Sequence, residues 1–424
     1  MTERASARTL PERICLNTLA YTWGFYAIGG LYIVGPAIGW LLFALALLSL
    51  YLGPVLRPDL RPAGPVTWMI VIWGVGMFAM LLALWVAFAQ WEMGAGEVVK
   101  STIGWAKGWA LLAIFPFAGA VLKIRRDCLI RGQCIIGLFT LALLPLMLVA
   151  PHIGLPERIF VSPLKAAGGP GPEYFTVYLY TIDPSSGAAR WQFYAPWSPF
   201  AGLLGVVMVL FALEDRKMFW RIVGILAGVA MIWFSKSRMS LVGLAACVAI
   251  PRLLPMIVFP TTWKVLAGGA VAMAALGGAA LTFVDDSISA FKGARADSTR
   301  VRQTLQSIAY DRWSEAPWFG HGTVQPGPHL VEYMPIGSHH TWFGLLFVKG
   351  VAGFMALLVP LALQLVVVTI DATRSPRGRL PLALVLMMVV LTFGENIEIE
   401  AYLLWPVFLM LGIHQREMST APAA

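Results

Sequence analysis

Long apolar runs separated by short polar connections dominate the chain between residues 15 and 414. A run of roughly 18 or more apolar residues can cross the hydrocarbon core of a bilayer as a helix. The pattern therefore predicts an all-α polytopic membrane protein, with residues 1–424 forming one membrane domain of about twelve spans. The predicted spans are 15–35, 37–56, 66–89, 103–122, 134–151, 197–213, 218–234, 239–257, 263–283, 341–369, 380–396 and 398–414, the first two being separated at Gly35-Pro36.

Two longer polar segments, 152–196 and 284–340, interrupt the predicted spans. The first is rich in glycine and proline and then in tyrosine, which predicts irregular chain with a short hairpin. The second predicts an amphipathic helix that ends before Pro317, because apolar residues recur along it at helical spacing. The apolar positions of that helix are Val301, Leu305, Ile308 and Ala309.

The amino-acid composition excludes a soluble domain, and the distribution of Lys and Arg along the chain predicts the topology. Hydrophobic residues make up 58% of the 424 residues and charged residues only 12%, which leaves too little polar surface to cover a globular fold. More than half of the 31 Lys and Arg residues fall in connections on the side that holds the N-terminus. By the positive-inside rule, both termini are predicted to be cytoplasmic and both long polar segments to lie outside. Much of the net charge of +9 follows from this topology, so no nucleic-acid partner is predicted.

The main candidate catalytic residues lie where the second polar segment meets an apolar run, in the sequence Ser-His-His-Thr-Trp of residues 338–342. Histidine has an ordinary pKa near neutrality, so His339 or His340 can accept a proton from a hydroxyl delivered at the membrane surface. His321, between two glycines, and Glu395, close to the same membrane face, are further candidates. The alternative for each is an interfacial residue that hydrogen-bonds loop backbone or solvates a helix end.

Three arginines, Arg190, Arg238 and Arg300, fall on the predicted outer segments or at the helix entrances beside them. The planar guanidinium fork suits a phosphate or pyrophosphate. The alternative is an interfacial arginine whose head group reaches the lipid surface. No histidine or acidic spacing supports a metal site, and no nucleotide-binding or hydrolase motif is present, so no metal or other cofactor is predicted.

Several weak motifs occur in a specific order between residues 190 and 415. Ser237-Arg238 is followed by small and apolar residues, then come Arg300, the turn Phe319-Gly320-His321-Gly322, and Ser338-His339 before a glycine-spaced helix. In that order and placement, the chain resembles the O-antigen ligase and polymerase superfamily of bacterial envelope glycosyltransferases. The N-terminal third is similar only in being a set of membrane spans.

The resemblance implies an inverting, metal-independent glycosyltransferase of the bacterial inner membrane with a periplasmic active site. Such enzymes take a glycan from an undecaprenyl-pyrophosphate donor and transfer it to a lipid-linked or lipid A-core acceptor. The family's loop histidine corresponds to His339, and its usual following asparagine is His340 in this chain. Its pyrophosphate arginines correspond to Arg238 and Arg190, and Arg300 matches a loop arginine.

The alternatives within the family differ in the acceptor that receives the glycan. A polymerase of O-antigen or exopolysaccharide repeats is favoured over a ligase, because the aromatic first segment, 152–196, offers room for a second glycan. A secondary transporter or lipid-glycan flippase is the alternative from another class. It would show inverted repeats and broken helices with charges near the midplane, whereas the polar candidates of this chain gather at one face.

Overall fold

The computed structural model describes residues 8–53, 55, 58–183, 187–258, 296–331 and 333–420. Helices dominate these residues. In chain order they are α1 Leu10–Ala20, α2 Thr22–Ala27, α3 Leu31–Leu52, α4 Trp68–Gln90, α5 Ala95–Lys107, α6 Leu111–Val121, α7 Arg126–Val149, α8 Ser198–Leu213, α9 Met218–Ser235, α10 Arg238–Leu253, α11 Ala296–Trp313, α12 Thr341–Arg374, α13 Arg379–Thr392 and α14 Ile397–Thr420. The strands are β1 Arg158–Val161, β2 Thr176–Tyr178, β3 Thr181–Ile182 and β4 Ala189–Arg190.

Seven helices of the described chain are long and apolar enough to cross a membrane, which supports a multi-pass membrane protein. They are α3, α4, α7, α9, α10 with the turn that follows it, α12 and α14. The pair α5 and α6, bent by 41°, makes an eighth if it is one span. The predicted spans 197–213 and 380–396 appear as the shorter helices α8 and α13, and the predicted span 263–283 lies outside the described residues.

The predicted break at Gly35-Pro36 is wrong, because α3 runs through both residues without interruption. The chain breaks earlier, after α2, where Gly29 has a φ of +65°. A Cβ on Gly29 would lie 2.6 Å from the Phe175 carbonyl oxygen, so this close approach requires glycine. Pro36 removes a single helical N–H, which a helix surrounded by other helices tolerates.

α14 is the most buried of the seven candidate spanning helices of the described chain. Of its most apolar stretch 83% is buried, whereas no other spanning helix exceeds 50%. Gly119 of α6 and Gly412 of α14 have no room for a Cβ against the partner backbone. Glycines at such contacts let membrane helices approach closely and gain van der Waals contact. Gly205 and Gly228 join α8 to α9 in the same way.

Two bidentate ion pairs help to hold helices together at the end of the bundle where α7 begins. Glu12 binds the Arg125 guanidinium at 2.6 and 2.9 Å, and Asp215 binds both forks of Arg131 at 2.9 Å. Burial alone would raise the pKa of Asp215, but the hydrogen bonds from Arg131 outweigh it and hold that pKa below its ordinary value. The start of α7 and the connection between α8 and α9 therefore lie at the same end.

The first polar segment folds into two small antiparallel strand pairs, β1 with β2 and β3 with β4. The Tyr26 hydroxyl holds this segment to α2 by donating to the Tyr178 carbonyl at 3.0 Å and accepting the Tyr178 N–H at 2.8 Å. Tyr174 and Phe175 are buried against the ring of Tyr32 in α3. The segment is thus packed onto the bundle as part of its core.

The amphipathic helix of the second polar segment is α11, and its predicted apolar face is confirmed. Leu305 and Ala309 are fully buried, and Ala309 packs in one cluster with Ile336 and Phe347. The helix ends at Trp313, before Pro317, as the sequence predicts. Residues 284–295 of this segment lie outside the described residues.

α12 is broken at Gly350, where the sequence predicts an uninterrupted span. The loop at residues 317–322 fills the break with four backbone hydrogen bonds: His321 and Gly322 donate to the carbonyls of Phe347 and Val348 at 2.9 Å, and Val351 and Ala352 donate to those of Pro317 and Trp318 at 2.9 and 3.0 Å. Gly350 has a φ of +61°, and a Cβ there would collide with Trp318. The backbone groups freed by the break are therefore satisfied inside the protein, as a membrane interior demands.

Candidate active site

His339 and Glu395 meet at the end of the bundle where α12 begins, which we call the His339 end. The His339 Nδ1 lies 3.5 Å from Glu395 Oε2; the histidine side chain is 29% exposed, whereas Glu395 is 1% exposed. This separation exceeds a normal hydrogen bond, and neither carboxylate oxygen of Glu395 accepts a hydrogen bond from the described residues. A buried, unpartnered carboxylate behind an accessible imidazole can orient the ring and stabilise its protonated form.

The backbone of His339 is itself unusual. Its φ of +59° lies in the left-handed region, which residues other than glycine adopt at a free-energy cost. Two residues later, the Thr341 hydroxyl donates to the Glu395 carbonyl at 2.7 Å and accepts the Ile397 N–H at 3.0 Å. The start of α12 is thereby held against the connection between α13 and α14, which carries Glu395.

His340 has a different environment from its neighbour. It is 8% exposed, its ring contacts those of Phe343 and Phe393, and its Nδ1 accepts the Phe343 N–H at 3.5 Å as the N-cap of α12. Burial lowers the pKa of His340 to about 4, so this imidazole stays neutral at physiological pH. Its contacts therefore fit a helix cap better than a base that reaches substrate.

Arg238 begins α10 at the same end of the bundle. Met239, the next residue, contacts Gly394, which precedes Glu395. The guanidinium-bearing helix start and the carboxylate-bearing connection are therefore direct neighbours. Arg238 is half-buried, so its side chain combines support from the protein with access from outside.

Arg190 contacts the protein directly. Its Nε and Nη2 donate to the Ser235 carbonyl at 3.3 and 3.1 Å, and its Nη1 lies 3.4 Å from Asp183 Oδ2. These contacts join β4 to the end of α9, three residues before Arg238. The geometry gives Arg190 a role in positioning the turn that carries Arg238.

His321 and Arg300 are not part of the His339–Glu395 contact. His321 is buried between the rings of Trp91 and Phe347, with Nδ1 3.1 Å from the Phe347 carbonyl oxygen and Nε2 3.1 Å from the Glu315 carboxylate. The hydrogen bond from His321 is the main cause of a lowered pKa at Glu315. Arg300 is exposed on α11. His321 therefore belongs to the contact between residues 317–322 and α12.

Trp197 is a site residue that the sequence analysis did not select. Its ring lies edge-on to His339 with ring centres 6.0 Å apart, and the ring of Tyr174 also packs edge-on to it, with centres 5.7 Å apart. The available signal was its place directly before the Ser-Pro that begins α8, since aromatic residues often border membrane spans. Trp197 provides an apolar wall beside the imidazole.

The structure thus brings His339, Glu395 and Trp197 together. Helix α10, which begins with Arg238, starts beside the connection that carries Glu395, and Arg190 binds the end of α9 before it. Within the part of the chain that the structure describes, no group of three or more His, Cys, Asp or Glu side chains has the geometry to hold a metal ion. Comparisons with models of protein families, with curated proteins and with solved structures found no match. What this site does is therefore inferred from its own residues.

Proposed function

We propose that this protein is an inverting membrane glycosyltransferase that uses a glycan carried on undecaprenyl pyrophosphate at the periplasmic face of the bacterial inner membrane. The observation that carries the proposal is the contact between partly exposed His339 and buried Glu395. An imidazole beside a carboxylate is an arrangement that can activate a hydroxyl as a general base. Its position at the end of a long apolar helix suits substrates anchored in the membrane.

The reaction follows from the groups at the His339 end. The acceptor hydroxyl attacks the anomeric carbon from the face opposite the leaving group, and its proton passes to the neutral imidazole of His339. The bond between the anomeric carbon and the pyrophosphate oxygen breaks, and its electron pair stays on the pyrophosphate. Arg238 stabilises that developing charge, while Glu395 stabilises the imidazolium. The anomeric configuration inverts in this single displacement.

We further propose polymerisation of surface polysaccharide repeats, with transfer to lipid A-core as the alternative. The first polar segment lies beside the base, since Tyr174 contacts Trp197 and Trp197 contacts His339. A second glycan held by this aromatic segment would therefore be close to His339. Purified protein supplied with a lipid-linked repeat and a chelator should produce a ladder of longer lipid-linked glycans. A single transfer that requires added lipid A-core would identify a ligase, and absence of transfer to either acceptor would refute the proposal.

The proposed orientation of the protein in the membrane can be tested independently of the reaction. We propose cytoplasmic termini and periplasmic long segments, so reporter fusions after Gly171 and Gly327 should be active only as periplasmic reporters. Fusions after Arg126 and Arg377 should be active only as cytoplasmic reporters, because short basic connections are retained inside. A cytoplasmic reporter signal at Gly327 would place His339 inside and contradict the proposed donor.

Transport of a lipid-linked glycan is a second candidate because α12 is broken at Gly350 and α5 bends 41° from α6. Lys349, beside the first break, is buried and interacts electrostatically with Glu398 of α14. Broken helices with buried charges are typical of transporters. Movement of the donor across sealed vesicles without any change in its bonds would favour this candidate; it leaves the His339–Glu395 contact without a role.

A further inference from the structure

Lys349 is a buried cation at the break in α12. It is the last residue before Gly350, and it is only 5% exposed. A Cβ on Gly353 would lie 2.3 Å from the Lys349 Cβ and 3.3 Å from its Cγ and Cδ. The absence of a side chain at Gly353 therefore makes room for the apolar stem of this lysine.

The charge of Lys349 interacts with that of Glu398, which lies in the first turn of α14. Lys349 forms no hydrogen bond or direct ion pair with the residues that the structure describes, and Glu398 Oε2 is likewise without a hydrogen-bond partner among them. Ionisable residues buried among membrane helices are costly and are typical of functional sites. The role of this pair is therefore to be sought in what the two residues hold together.

The break at Gly350 makes residues 341–349 a short helix of their own. Gly350 has non-helical φ and ψ, so the remaining part of α12 does not orient this short helix. Its orientation depends instead on contacts with other segments. The Thr341 hydroxyl supplies one of these contacts, to the connection that carries Glu395. The backbone of residues 317–322 supplies another at the break.

Two pairs of side chains connect the short helix to the start of α14. His339, just before the short helix, lies 3.5 Å from Glu395. Lys349, its last residue, interacts with Glu398. Glu395 and Glu398 are only three residues apart, so a shift of the short helix along the start of α14 changes both pairs at once. The attraction between Lys349 and Glu398 opposes such a shift.

We propose that Lys349 is a positioning residue for the candidate base: its attraction to Glu398 holds residues 341–349 against the start of α14 and keeps Glu395 beside His339. The consequence for catalysis rests on the proposed transferase function, whereas the positioning of the two side chains does not. Lys349 touches no reacting group and acts through Glu395.

The positioning can be measured without any substrate. Solid-state NMR on protein in lipid bilayers, with isotope-labelled histidine and glutamate, detects the dipolar coupling between the His339 ring and the Glu395 carboxyl group. The wild type should show this coupling. Lys349→Met keeps an unbranched apolar stem without the charge, and should lose it. The matched control is Lys100→Met, which removes an exposed lysine of α5 and should keep the coupling.

The interaction partner is tested by the same coupling. Glu398→Gln should weaken it as Lys349→Met does, and the variant with both substitutions should be affected no more than either single variant, because each removes the same interaction. Glu398→Gln also provides the test if Lys349→Met fails to fold. Coupling of wild-type strength in both single variants would overturn the inference.

Kinetics then connect the positioning to catalysis. Lys349→Met and Glu398→Gln should each lower kcat about tenfold and leave the KM values for donor and acceptor unchanged, because a displaced base is felt mainly in the transition state. Additive losses in the double variant, or raised KM values at an unchanged kcat, would overturn the positioning role. Loss of the coupling in variants of a wild type that performs no transfer would instead refute the proposed function alone.

Discussion

Replacing His339 by alanine should abolish long-chain glycan and cause lipid-linked repeats to accumulate. Loss of a general base slows the chemical step by roughly 10²- to 10⁴-fold, because its help is felt mainly in the transition state. Donor affinity should change little, since Glu395 and Arg238 remain in place. The measurement is single-turnover transfer by the purified variant, with donor affinity determined in parallel by equilibrium binding.

His340 provides the matched control for that experiment. His340→Ala should retain substantial transfer activity, because this imidazole is buried and caps α12. Loss of the helix cap should instead lower the free energy of unfolding by about 1 kcal/mol. His340→Asn should recover part of this stability, because asparagine can also cap a helix. Full turnover by His339→Ala together with loss of turnover in His340→Asn would reverse the assignment of the two histidines.

Arg238 gives the second large effect. Arg238→Lys keeps one positive charge but removes the planar fork, so transfer should fall by about two orders of magnitude at normal membrane abundance. Arg238→Ala should fall at least as far. Arg252→Lys is the matched control, since Arg252 lies in the last turn of the same helix and is exposed. Wild-type transfer by Arg238→Ala would show that Arg238 serves only as an interfacial residue.

Local sequence patterns were sufficient to predict the helices whose structure depends mainly on the spacing of nearby apolar residues. The apolar face of α11, with Leu305 and Ala309, could be predicted because helical spacing places those residues side by side. Seven of the twelve predicted runs likewise coincide with helices of the described chain that are long and apolar enough to cross a membrane, whereas the predicted run 15–35 is divided among α1, α2 and the start of α3. His339 and Glu395 could be selected individually, since each is a polar residue at the end of an apolar run.

Features that depend on contacts between distant segments could not be predicted. The break at Gly350 exists because residues 317–322 supply hydrogen-bond partners from outside α12. Pro36 predicts a break by local rules, yet the surrounding helices allow α3 to continue through it. The contact between Trp197 and His339 and the burial of Lys349 both depend on how separate helices pack, so local sequence patterns do not predict them.

We propose that this protein transfers a glycan between membrane-anchored substrates with His339 as the base. The most direct measurement uses sealed proteoliposomes loaded with radiolabelled lipid-pyrophosphate glycan, in the presence of a chelator. The wild type should release lipid pyrophosphate and lengthen the glycan, whereas His339→Ala should do neither. Movement of unaltered donor between leaflets by both proteins, without formation of longer glycan, would contradict the claim and identify a transporter.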